Sequence, residues 1–322
     1  MRALIFEVFG GPEVLRYAEI AEPRLELGTV IVRMQAIGLN FADIYRRRGN
    51  YHLTGQPPYI LGYEGAGIVE RVATDVTALQ PGDRVAFADV PYANAELVQV
   101  PVERAIPLPS DITAEQAASV LLQGMTAHYL VNDSYAVQHG DEMLVHAAAG
   151  GVGQLLVQLG VSKGARVLGL TSSPAKREVA RSAGADEVLL YDSDWVQSAI
   201  HWSQGVAGVR VAYDSVGSTL MDSFAAVQTK GHVVFYGMAG GDPALIDPRM
   251  LMDTSKTITG GDLWNHVTSR ADRMHRAEAL FAAIRSGALR LEEPKTFALA
   301  DGIEAHRLLE SRKSTGKILL IP

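Results

Sequence analysis

The stretch that decides the fold is EMLVHAAAGGVGQLLVQLGVSKG, residues 142–164. MLVHA is a short apolar strand, AAGG a turn, and Val152 to Ser162 keeps helical spacing until Lys163 and Gly164 end it, with Gly164 placed for a left-handed cap. Strand, glycine turn and helix in direct succession form the setting in which a helix N-terminus receives a pyrophosphate. Gly150 and Gly151 let the backbone approach, Gly153 lets the helix lie close on its sheet, and the helix end supplies oriented N–H groups and partial positive charge, with Val152 inside the same turn. Ala148 stands where the usual fingerprint has its first glycine. The turn by itself therefore leaves open a second reading, a Gly-rich corner that only packs tightly.

The sequence on either side favours the phosphate reading. RVLGL (166–170) is a second strand, Pro174 suits a first helical position, Ala175 to Ala183 is helical, and Gly184 stops it. EVLLY (187–191), VRVAYD (209–214) and GHVVFYG (231–237) are further strands, with a helix expected over 219–229. At least five strands alternating with helices predict one doubly wound parallel sheet. Before Thr126 the pattern differs: short apolar runs at 29–37, 67–73 and 83–88, broken by Gly and Pro, predict a β-rich lobe. After Gly261 an amphipathic segment (269–286), a short strand, a helix (300–310) and KILLI (317–321) predict a tail packed back on that first lobe. The expected division is residues 1–124 and 263–322 for one domain and 125–262 for the other.

Composition agrees with this two-lobed plan. The chain has 322 residues, 48% hydrophobic and 20% charged, the profile of ordinary globular domains and not of a disordered or fibrous chain. It has no cysteine, which removes disulfides, thiolate nucleophiles, iron–sulfur clusters and thiolate-held zinc together. The start MRALIFEVFGG reads as strand and turn, not as a secretory signal, and no apolar run is long enough for a membrane span. Cytoplasmic residence is compatible with both facts. A net charge of −7 argues against nucleic acid as a partner.

Cofactor preference is read at the end of the second strand, where NAD-binding chains carry an acid for the ribose hydroxyls. Here the sequence is Leu170-Thr171-Ser172-Ser173, with Lys176 and Arg177 following. A carboxylate would repel a 2′-phosphate, whereas the Ser172 hydroxyl and the Lys176 ammonium would hold one, so NADPH is expected over NADH.

These residues, with IGLNFADIYRRRGNY (37–51), LGYEGAGIVE (61–70), PGDRVAF (81–87), LLQGMTAHYL (121–130), YDSVG (213–217) and ESRKSTGKILL (310–320), give the whole chain a resemblance to the quinone oxidoreductase branch of the medium-chain dehydrogenase/reductase superfamily. The resemblance implies an α/β fold in which a Rossmann-type domain is inserted into a discontinuous GroES-like catalytic domain. It further implies NADPH between the lobes and a homodimer. It places the adenosine phosphate at Ser172, Lys176, Tyr191 and Arg312, the pyrophosphate at Gly150–Gly153, and the nicotinamide half near Thr126, Val216, Tyr236, Gly237 and Leu263. Zinc-dependent relatives have a histidine where this chain has Tyr63, before Glu64, so no metal is expected.

Without a metal, the protein must orient the acceptor and supply hydrogen-bond donors where charge builds on its oxygen. Asn40 and Tyr45, in the segment that the resemblance puts at the reaction centre, carry an amide and a phenol suited to that task, and Asp43 between them reads as structural. The expected substrate is a quinone or a related small electron-poor acceptor. Two alternatives stay open: an enone, 2-alkenal or enoyl reductase using the same cofactor, and an NADPH-binding protein with a structural or RNA-binding role.

Overall fold

The long strand Thr29–Leu39 alternates few polar residues with Val30, Val32, Met34, Ile37 and Leu39, and it is buried along most of its length, as the central strand of a sheet must be. The computed structural model describes residues 1–191, 194–204 and 207–322. Among them the chain divides into two units, Met1–Leu122 with Val267–Ala282 and Leu291–Pro322, and Gln123–His266 with Ala283–Arg290.

In the first unit a seven-stranded sheet is ordered Lys295–Ala298, Ile318–Ile321, Thr29–Leu39, Gly65–Val72, Arg84–Phe87 and Ile106–Pro107, with Leu97–Pro101 also pairing to the long strand. The tail strand Ile318–Ile321 lies antiparallel on it, Leu319 opposite Gly38. Its side chains Ile318 and Leu320 enter the same buried cluster as Leu4, Phe6, Val32, Val69 and Phe87. One core thus holds both ends of the chain, and the lobe is discontinuous for that reason.

The second unit carries a six-stranded, wholly parallel sheet in the order Glu187–Leu190, Arg166–Thr171, Glu142–Val145, Val209–Asp214, Val227–Phe235, Thr257–Gly260. The chain starts in the middle, winds outward through the second and third strands, and then winds the other way from the fourth. The direction reverses between Glu142–Val145 and Val209–Asp214, the switch point at which such sheets bind ligands. Helix Gly151–Ser162 ends as expected, with Gly164 at φ 80°. Helix Pro174–Ser182 opens on the Ser173 cap, whose hydroxyl accepts from Lys176 N. The helix expected over 219–229 is shorter, Leu220–Ala226, because Val227 already pairs with Val209 and extends the next strand backwards. Among the described residues, no helix is long and apolar enough to cross a membrane.

Candidate active site

Each strand of the parallel sheet ends in residues that the sequence singles out. Gly150 to Gly153 follow Glu142–Val145, Ser172 follows Arg166–Thr171, and Tyr191 follows Glu187–Leu190. Val216 follows Val209–Asp214, Tyr236 and Gly237 follow Val227–Phe235, and Leu263 lies just past Thr257–Gly260. All of them therefore lie along one rim, outside the carboxyl ends of the strands.

The fit of a dinucleotide can be tested on this rim. Helix Gly151–Ser162 has no side-chain cap and no acid in its first turn, so its leading N–H groups face outward with the positive end of the helix dipole. A Cβ on Gly153 would meet the Ala147 carbonyl oxygen at 2.2 Å, so this glycine cannot be replaced without moving the turn, whereas one on Gly151 would meet the end of the Gln123 side chain at 2.0 Å and displace it. Ser172 is exposed, Lys176 is half-buried in the first turn of the next helix, and no carboxylate stands between them. This donor set fits a pyrophosphate and a 2′-phosphate. Leu263 is 6% exposed, so its side chain is core and any contact it makes runs through its backbone. Thr126, half-buried on helix Ala114–Tyr129, belongs to the same unit.

Beneath the rim lies a polar cluster that the sequence did not reveal. His146 and Asp214 end adjacent strands and are both fully buried. Asp214 Oδ1 accepts from the N–H of Val216 at 2.8 Å and of Gly217 at 3.0 Å, and Oδ2 accepts from the hydroxyls of Ser223 at 2.7 Å and Thr219 at 2.8 Å. Burial alone pushes this carboxyl up; His146, the Ser223 hydroxyl and the two backbone donors outweigh that and hold it below the usual value. Burial pushes the His146 imidazole down, against the pull of Asp214, and keeps it neutral near pH 7. The Tyr191 hydroxyl is 3.2 Å from His146 Nδ1 and accepts from Ala147 N at 3.0 Å. It points into this cluster, whereas the resemblance had it meeting the adenosine phosphate.

The remaining candidates, Asn40, Tyr45 and Arg312, belong to the first unit. Asn40 ends the long strand and precedes helix Phe41–Arg47, with its N–H donating to Asp43 Oδ2 at 2.9 Å. Its side chain is 4% exposed and engaged on both ends: Nδ2 donates to Glu64 Oε2 at 2.9 Å and to Gly38 O at 3.3 Å, and Oδ1 accepts from Lys317 Nζ at 2.9 Å. Lys317 also bonds Glu64 Oε2 at 2.6 Å, and Glu64 Oε1 accepts from Leu122 N at 2.7 Å. Gly38 must be glycine here, because a Cβ would meet Glu64 Oε2 at 2.3 Å. Asn40 thus has the geometry of a residue that shapes the site through its neighbours. Tyr45 is half-buried among aromatic rings, 5.8 Å from Phe41 and 6.4 Å from Tyr51. Arg312 is exposed, at φ 57°.

A zinc ion does not fit this donor set. The chain has no thiolate, and among the described residues no cluster of three or more His, Asp or Glu could hold a metal. Tyr63 is used otherwise: the Arg46 guanidinium lies 3.7 Å from its ring centroid, and its hydroxyl bonds Thr54. Arg46 in turn pairs with Asp43 at 3.3 Å, both fully buried, and burial raises the Asp43 carboxyl while Arg46 and the Asn40 N–H pull it back.

Comparison with known proteins agrees with both halves. The family described as Alcohol dehydrogenase GroES-like domain matches residues 26–137, and that described as Zinc-binding dehydrogenase matches 151–277. A quinone oxidoreductase of Pseudomonas aeruginosa is 38% identical over 98% of each chain. A 2-haloacrylate reductase of a Burkholderia species is 34% identical over 99% of this chain and 98% of its own. The crystal structure of Escherichia coli quinone oxidoreductase complexed with NADPH superposes with a TM-score of 0.96 at 34% identity, covering 100% of both chains. With a resemblance of this depth running from end to end, the chain belongs to the quinone oxidoreductase branch of the medium-chain dehydrogenase/reductase superfamily.

Proposed function

We propose that this chain is an NADPH-dependent quinone oxidoreductase, with residues 125–262 as its NADPH-binding domain and 1–124 with 263–322 as its catalytic domain. The observation that carries the reading is the rim of the parallel sheet: an uncapped helix on a glycine turn stands beside a second strand that ends in hydroxyls and Lys176 in place of an acid. The relative of known structure that binds NADPH supports the same choice.

When bound, the nicotinamide supplies the hydride. The chain's own part is orientation and exclusion of competing reactions. Gly150 to Gly153 hold the pyrophosphate with backbone N–H groups, while Ser172, Lys176 and Arg312 hold the 2′-phosphate. Backbone groups of Val216, Tyr236, Gly237 and Leu263, with Thr126, seat the nicotinamide half. Tyr45 donates to the acceptor oxygen through its hydroxyl, and Asn40, locked by Glu64 and Lys317, fixes the backbone from which Tyr45 projects. Cytoplasmic residence and a homodimer complete the reading.

Cofactor binding and acceptor turnover test it. Lys176→Ala is expected to weaken NADPH roughly tenfold to a hundredfold and leave NADH unchanged, because one charge-assisted hydrogen bond is worth about 1.5–3 kcal/mol. Equal loss for both nucleotides would show the phosphate assignment to be wrong. The 2-haloacrylate reductase among the relatives favours a second reading, reduction of an activated alkene by the same cofactor. A purified-protein panel of quinones, enals and haloacrylates separates the two, and turnover of alkenes with none of quinones overturns the preferred acceptor.

A further inference from the structure

The strand Glu142–Val145 reaches its glycine turn through His146 and Ala147, and Ala147 has φ 47°, a left-handed conformation that its Cβ disfavours. The N–H groups on either side go to the flanking strands: His146 N to Tyr213 O at 3.1 Å and Ala148 N to Leu170 O at 3.0 Å. The turned Ala147 N–H donates instead to the Tyr191 hydroxyl at 3.0 Å. On its other side the Ala147 carbonyl receives Gly150 N at 2.8 Å, and it is the same oxygen that fixes Gly153 as glycine. The left-handed bend at Ala147, which orients the peptide planes on either side of it, therefore sets the course of Gly150 to Gly153.

The hydroxyl that holds it is itself held. With His146 neutral and the Thr219 hydroxyl, 3.4 Å from Nδ1, donating to Asp214, the Tyr191 proton is assigned to His146 Nδ1 at 3.2 Å. That leaves the His146 proton on Nε2, which donates to Ser223 Oγ at 2.9 Å, and Ser223 donates to Asp214 Oδ2 at 2.7 Å. The other oxygen of Asp214 holds the N–H groups of Val216 and Gly217. These directions of donation satisfy every group in the series, and the series crosses the switch point of the sheet.

We propose that Tyr191 is a positioning residue whose hydroxyl keeps Ala147 left-handed, and that the relay Tyr191–His146–Ser223–Asp214 sets the glycine turn and the Val216–Gly217 turn as one preformed unit for a dinucleotide. The inference rests on the NADPH-binding reading above. It differs from it in giving Tyr191 no part in telling the 2′-phosphate from a hydroxyl, so the residue serves both nicotinamide dinucleotides alike.

The test is fluorescence titration of wild type, Lys176→Ala, Tyr191→Phe and Thr219→Val with NADPH and with NADH, alongside melting temperatures. Tyr191→Phe is expected to weaken both cofactors by a similar factor, about tenfold, since a buried N–H loses its acceptor. A loss confined to NADPH would put the hydroxyl on the 2′-phosphate and overturn the proposal. So would a lower melting temperature with unchanged dissociation constants, the mark of a merely structural role. Thr219→Val removes one of the two hydroxyls on Asp214 Oδ2 and is expected to weaken both cofactors about twofold to threefold. If Tyr191→Phe does not fold, this variant decides, and unchanged binding overturns the relay. Wild type that binds neither nucleotide overturns the NADPH reading itself, a result distinct from all of these.

Discussion

Each unit buries a polar network, and the two are built on opposite principles. In the first, charges pair with charges across long sequence separations: Lys317 with Glu64, and Arg47 with Glu310 while its Nη1 meets His306 Nδ1 at 2.9 Å. In the second, one carboxylate is surrounded by neutral donors, and a neutral imidazole relays between hydroxyls. The first joins the beginning of the chain to its end. The second ties together loops at one end of a sheet that is already complete. Damage to the former should therefore appear as lost stability, and damage to the latter as lost binding.

The largest expected effect follows from the Glu64 site. Lys317→Met leaves a fully buried carboxylate short of its cation, and urea denaturation should show a loss of about 3–5 kcal/mol. Adding Glu64→Gln should recover much of it, because a neutral amide leaves no buried charge and its one oxygen can still accept from Leu122 N. No recovery in the double variant would mean that the cost lies in packing, and the contrast between the networks would weaken.

The next effect is a pH dependence. Burial, with the Arg47 charge beside it, pushes the His306 imidazole from 6.5 down to about 3. The unfolded chain then binds a proton that the folded chain refuses, so this residue's contribution is intact above pH 6.5 and is lost as pH falls from 6.5 toward 3. The slope is at most about 1.4 kcal/mol per pH unit. His306→Gln should flatten the change in urea midpoint between pH 7 and pH 5; an unaltered slope would place the titration elsewhere.

The smallest effect is Tyr63→Phe, which keeps the ring under Arg46 and removes the hydroxyl bonds to Thr54. It should cost about 0.5–1.5 kcal/mol in the same denaturation assay. A much greater loss would mean that the hydroxyl, and not the ring face, is what the buried guanidinium depends on.

The same division decides what could be read without coordinates. Strands, glycine turn and the helix expected over Val152 to Ser162 were legible because strand period, helical spacing and glycine position are local signals. The helix expected to reach residue 229 failed at Val227 because strand pairing with Val209 overrode its local pattern. Asn40 was legible as a polar residue at a critical corner, but its use was not, since it depends on Glu64 and Lys317 from distant parts of the chain. Tyr191 shows the same limit: its place at the end of a strand was clear, while the partner of its hydroxyl depends on the conformation of Ala147.

The pairing of Lys317 with Glu64 also bears on the order in which the molecule is made. The partners stand 253 positions apart, a span that includes the whole of 123–266, so that stretch can fold on the ribosome while the first unit still lacks two of the seven strands of its sheet. Domains usually fold in the order in which they emerge. Here the lobe that is begun first is finished last, and until Lys317 arrives its Glu64 carboxylate has no cation to be buried with.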